Sequence, residues 1–162
     1  MALLGALAPT LVAACGPDAS GGGWRPVTLD SLQGTVNYEY RTGDRGDGLS
    51  AQGDFDGDGE ADRAVLVSDE AAGKYAVRVE FSSGEEHIVA EANLADLPLV
   101  GLSTVPAGVY QTACGKGLGA CPDDAAQVID LAHDGFTLAA FESASRTFWW
   151  EDGAIHSEWT SD

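Results

Sequence analysis

The feature that most restricts this chain is the way its apolar residues are arranged. They come in short runs with a period of two, and each run ends at a glycine or an acidic turn. Tyr75, Val77, Val79 and Phe81 alternate with Ala76, Arg78 and Glu80, which puts one set of side chains on each face of a strand. A strand of that kind buries one face, so the chain must supply partners for it. Candidate partners are Ala64–Val67, His87–Ala92, Val109–Ala113, Ala126–Leu131, Phe136–Glu142, Arg146–Trp150 and Ala154–Trp159. Ser82-Ser83-Gly84-Glu85, His133-Asp134-Gly135 and Glu151-Asp152-Gly153 read as the hairpin turns between them. The 21 glycines fit many tight turns and argue against a helical bundle. The expected fold is therefore mainly β: a compact antiparallel meander sheet with little helix, in one domain over residues 25–162. Less regular segments are read as a short helix at Thr28–Leu32, a strand at Thr35–Arg41 and a polar loop at Thr42–Gly53. Asn93–Leu97 is read as one helical turn stopped by Pro98. No repeat of solenoid or propeller length recurs.

Charge excludes whole classes of function. With 26 Asp and Glu against 8 Lys and Arg, the formal charge is -18. Nucleic-acid binding needs a basic face that such a chain cannot present. Anionic lipid would repel the domain unless something else held it there. So many acids also make paired carboxylates inevitable, and a pair by itself is no argument for acid–base catalysis.

Some of the acidity is patterned. In Gly53-Asp54-Phe55-Asp56-Gly57-Asp58-Gly59-Glu60-Ala61-Asp62, aspartates fall at the first, third, fifth and ninth loop positions. That spacing winds carboxylates around a hard cation, which takes six to eight oxygens if it is calcium. Gly59 permits the sharp bend, Glu60 offers a backbone carbonyl, and Asp62 closes the set directly or through water. A helical EF-hand would add a glutamate at the twelfth position, where this chain has Val65. With the strand Arg63-Ala64-Val65-Leu66-Val67 following, the loop resembles that of FG-GAP and VCBS-type repeats. The resemblance implies calcium held as a structural ion between two strands by Asp54, Asp56, Asp58, Glu60 and Asp62. A propeller of such repeats needs several copies, and this chain carries one. The stretch Phe141–Gly153 and the ending Trp159-Thr160-Ser161-Asp162 are similar to the tails of small bacterial proteins bearing the same single loop. That likeness supports the layout and brings no activity with it.

Residues Met1–Ala14 are uncharged and mostly apolar, and they lead into Val12-Ala13-Ala14-Cys15. Small residues directly before a cysteine resemble the lipobox of bacterial lipoproteins. The resemblance implies a signal peptide over residues 1–14, lipid on Cys15 and a Gly-rich tether over residues 15–24. No Lys or Arg precedes the apolar run, which departs from the usual signal pattern. The run is also too short for a spanning helix. In an exported, oxidising setting Cys114 and Cys121 are expected to pair across their Gly-rich spacer. Zinc is the rival reading, but two thiolates are half a tetrahedral set and no histidine lies at helpful spacing.

Other features carry less. Arg45-Gly46-Asp47 matches an adhesive tripeptide and is more simply a polar loop. Gly115-Lys116-Gly117-Leu118-Gly119 lacks the frame of a phosphate loop, and Ser103 lacks the closing glycine of a nucleophile elbow. His87, His133 and His156 are isolated in sequence. In Phe148-Trp149-Trp150, alternation places Trp149 on the face opposite Phe148 and Trp150, so at least one large ring should lie near the surface.

The expected protein is a calcium-stabilised, secreted or lipid-anchored envelope protein acting as a binding or structural module. It would be monomeric, with an envelope protein or glycan as partner and no nucleic acid. The alternatives are an acidic inhibitor or immunity-type lipoprotein that captures a basic protein, and a hydrolase of envelope polymers using paired carboxylates.

Overall fold

The computed structural model describes residues 23–43, 46–118 and 121–161. The signal-peptide and lipid-attachment assignments, Cys15 included, therefore lie outside the described residues. Eleven strands follow in order: β1 (Arg25–Pro26), β2 (Ser50–Gly53), β3 (Asp62–Asp69), β4 (Lys74–Glu80), β5 (Glu86–Asn93), β6 (Val100–Val105), β7 (Gly108–Gln111), β8 (Val128–Leu131), β9 (Gly135–Ala140), β10 (Ser145–Glu151) and β11 (Ala154–Ser161). One helix, α1 (Tyr38–Arg41), and two 3-10 turns, Asp30–Leu32 and Leu94–Leu99, complete the described elements. The mainly-β, antiparallel expectation holds. The described strands are arranged in two sheets and a separate hairpin.

In the first sheet β3 pairs with β4 and β4 with β5, while β1 and β2 both pair with the free side of β3 at different ends. The second sheet runs β11-β10-β9-β6, and β7 pairs with β8 alone. The segment around β2 touches both sheets. Gly53 faces Asp62 in the β3 ladder, while Gly48 O accepts from Leu102 N at 2.8 Å. Gln52 O likewise accepts from Thr104 Oγ1 at 2.7 Å. Between the sheets lies a core drawn from both, with Ala64, Leu66, Val77 and Val79 from the first and Leu102, Phe136 and Phe148 from the second. Its aromatic centre is specific. Phe136 and Phe148 stack at 5.0 Å between centroids, Phe55 tilts onto Phe136 at 5.5 Å, and Phe81 meets Trp150 edge-on at 4.8 Å. Phe148 and Trp150 therefore share the inner face, as the alternation requires. Trp149 stacks on His156 on the other face.

Three local readings are corrected. Thr35–Arg41 forms turns and α1, not a strand. Asn37 adopts φ 64°, which breaks any extended run, and the coil turns Arg41 inward, where it is buried. Its guanidinium donates to the carbonyls of Asp47, at 2.8 Å, and of Val100, and lies 5.2 Å from the centre of the Phe141 ring. Burial lowers the Arg41 pKa from its ordinary value, and Asp47 partly opposes this. The polar segment Thr42–Gly53 ends in a strand, β2, because β3 offers it a free edge. Likewise Val100–Val105, left without an element in the sequence reading, is the strand that pairs with β9.

Cys114 and Cys121 form a disulfide with a Cα–Cα distance of 5.7 Å. The loop it closes leans on the outer edge of β11, where Ala113 N donates to Trp159 O at 2.7 Å and Lys116 Nζ reaches Thr160 O at 2.5 Å.

Phe148→Ala should destabilise the protein by about 3–5 kcal/mol, because it empties the ring position shared by the two sheets. A urea melt would read this as a lower midpoint with an unchanged slope.

Candidate metal centre

The acidic loop connects β2 to β3 and is held by its own side chains. Asp54 accepts from Gly57 N at 2.7 Å through one carboxylate oxygen and from Gly59 N at 3.1 Å through the other. Asp56 Oδ1 accepts from Asp58 N at 3.1 Å, and Asp58 Oδ1 from Glu60 N at 2.7 Å. Each aspartate thus turns the backbone two to five residues ahead of it, the local bonding that suits Asp to turns. Gly57 and Gly59 take φ of 82° and 86°, a left-handed conformation costly for other residues. Gly57 has a second reason to lack a side chain. A Cβ there would come within 2.2 Å of the His133 ring.

This winding brings Asp54, Asp56 and Asp58 together, with one carboxylate oxygen from each within 4.8 Å of the others. Oxygens on opposite sides of a calcium ion are separated by about twice the 2.3–2.6 Å coordination distance. The three carboxylates therefore fit one hard cation, with the remaining positions left to backbone oxygen or water. Glu60 is exposed and does not join this group.

Asp62 does something else. It is 1% exposed, and both of its oxygens are engaged by backbone N–H groups. Oδ2 accepts from Phe55 N at 2.7 Å and Oδ1 from Ser82 N at 2.8 Å. The aspartate at the ninth position thus clamps the loop to the β4–β5 turn, and its Oδ2 also lies 3.4 Å from Asp56 N, beside the three-carboxylate cluster but not part of it. Ser82 adds a second tie through Oγ to Asp58 Oδ2 at 2.7 Å.

Electrostatics follow this division. Asp56 is pushed above the usual carboxylate range, chiefly by desolvation and further by the neighbouring acids Asp62, Asp58 and Asp54. Asp58 is held below that range, first by the Ser82 hydroxyl and then by the Glu60 N–H. A cation among these groups would relieve the repulsion at Asp56 directly.

The β8–β9 turn seats on the same loop. Asp134 N donates to Asp54 O at 3.1 Å, and Asp134 Oδ1 accepts from Ala107 N at 3.2 Å. The His133 ring covers Gly57. Ser82, His133 and Asp134 are the residues of this site that sequence reading missed, since they appear there only as turn formers far along the chain. The other histidines lie elsewhere: His87 contacts Glu85 at 2.8 Å, and His156 rests on Trp149.

Compared with protein-family models, curated proteins and solved structures, the chain matches none of them. Among the described residues, no helix is long and apolar enough to cross a membrane.

Two substitutions separate the ligand role from the clamp role. Asp62→Ala strands the buried N–H of Phe55 and removes the tie to Ser82 N, so it should cost roughly 2–5 kcal/mol with or without divalent metal. Asp56→Asn should leave metal-free stability nearly unchanged and remove any stabilisation by calcium. Melts of both variants, with calcium and with chelator, check the pair.

Proposed function

We propose that this chain is a calcium-stabilised binding module of a bacterial cell envelope, exported by its N-terminal segment and held at a membrane through lipid on Cys15. The observation that carries the metal part is the gathering of Asp54, Asp56 and Asp58 within 4.8 Å on a loop already shaped by its own hydrogen bonds. Calcium suits the oxygen-only donor set and the incomplete, partly exposed shell better than magnesium, which demands a tight octahedron. The resemblance of the loop to FG-GAP and VCBS-type repeats points the same way, with a structural ion at the join of loop and strand. The Cys114–Cys121 disulfide suits an oxidising compartment. With a charge of -18 on the chain, lipid at Cys15 would supply the membrane attachment that electrostatics opposes. The binding role is favoured by Trp159, a large ring left 50% exposed on an edge strand.

Calcium that binds the folded state stabilises it by mass action, about 2.7 kcal/mol at a hundred times the dissociation constant. For a chain of this size that corresponds to a rise in melting temperature of roughly 5–10 °C. Absence of both a melting shift and calorimetric heat at millimolar calcium would remove the metal from the proposal. The anchor is tested separately by fractionating cells that express the full chain. Cys15→Ser should move the protein from the membrane to the soluble fraction, and unchanged partitioning would refute lipidation.

A further inference from the structure

In a chain with 8 basic and 26 acidic residues, an arginine without an acidic partner needs explaining. Lys74 is bound to Glu91, Arg78 to Glu80 at 2.7 Å, and Arg41 donates to backbone carbonyls. The Arg146 side chain, on β10, makes no hydrogen bond or ion pair with any described residue, and its Nε, like that of Arg41, is buried without a partner. What holds it is aromatic. The guanidinium carbon lies 5.4 Å from the centroid of Phe148 and 5.9 Å from that of Trp159. Two rings therefore hold the cation while its side chain donates to no protein acceptor.

Arg146 lines a cavity of about 260 Å³ whose other walls are mostly apolar, among them Ala92, Val100, Leu138, Ala140 and Trp159. Glu91 also lines it but is taken by Lys74. A second cavity, beside the disulfide loop, shares Ala144 and Trp159 with the first, so the Trp159 ring is accessible from two sides.

We propose that this cavity binds small apolar molecules bearing a single carboxylate. The guanidinium takes the carboxylate in a two-pronged hydrogen bond, and the alanines, Leu138 and Trp159 take the hydrocarbon. Charge matching selects a monoanion, because a doubly charged phosphate would leave excess charge in an apolar site that offers one cation. Size selects a short chain or a single ring, since the volume is below the roughly 300–1,000 Å³ of sites for drug-sized ligands. The acidity of the chain does not forbid this. Distant charges are screened beyond about 8 Å at physiological salt, whereas Arg146 acts in contact.

The inference names a ligand class for the proposed binding module and so rests on that reading, but it does not involve the metal loop. It is tested on the full chain in chelator, with 3-phenylpropionate as probe and its neutral amide as control. Calorimetry reads binding, and Trp159 reports through fluorescence. The acid should bind at least about tenfold more tightly than the amide. Arg146→Met should reduce the acid to the level of the amide, and Trp159→Phe should remove most of the fluorescence change. Equal binding of acid and amide, full retention of acid binding by Arg146→Met, or no heat from the acid up to about 10 mM would each overturn the proposal. If Arg146→Met fails to fold, the acid-against-amide comparison on the unaltered chain still decides. Failure here with a calcium-dependent melt intact would discard the ligand class and leave the metal loop standing.

Discussion

The carboxylate of Asp62 is the point on which this fold turns. A charged group 1% exposed is costly unless its lone pairs are filled, and here three backbone N–H groups from two hairpins fill them, those of Phe55 and Ser82 at short distance. Hydrogen bonds to a charged acceptor contribute about 1.5–3 kcal/mol each. The bond to Phe55 N fixes the residue whose ring reaches Phe136 in the opposing sheet. The bond to Ser82 N fixes the β4–β5 turn beside Phe81, whose ring meets Trp150. One side chain therefore bears on two of the aromatic contacts that join the first sheet's hairpins to the second sheet, beside that of His87 with Trp150. With Asp62 facing inward, Asp54, Asp56 and Asp58 are left to face one another.

The metal centre is accordingly a joint between elements. It receives Ser82 from one turn and His133 and Asp134 from another, so the loop is over-determined by contacts remote in sequence. Much of the cost of ordering the loop is met by folding itself, which is the usual route to useful affinity with few ligands. The raised Asp56 leaves something for an ion to do: desolvation first, and then the neighbouring acids, work against its charge.

Legibility in the sequence followed the range of the forces concerned. Strands with clean alternation, such as β4, and hairpins with glycine turns, such as the one at Asp152-Gly153, were readable because period and φ are local properties. The three-carboxylate cluster was readable for the same reason, as Asx bonds reach only a few residues ahead. The task of Asp62 was not, since its partner Ser82 lies 20 residues away and nothing local distinguishes a ligand from a clamp. Alternation misled at Thr35–Arg41, where Val36, Tyr38 and Tyr40 imitate a strand but the buried demand is for the Arg41 guanidinium. β2 was hidden by its polarity, because a strand that bridges two sheets is defined by the carbonyls it offers, and carbonyls leave no trace in residue type.

The disulfide loop has a bearing beyond its own covalent bond. Strand β11 is the last in its sheet, and an eight-residue edge is an open invitation to strand addition by another molecule. Ala113 N–H and the Lys116 ammonium occupy carbonyls of that edge. Cys114, directly after Ala113, pins the segment that supplies them. In a reducing environment the same sequence would loosen its hold on the edge, and the exposed ladder would be free to pair between copies. Oxidation would then bear on keeping chains apart as well as on the stability of one chain.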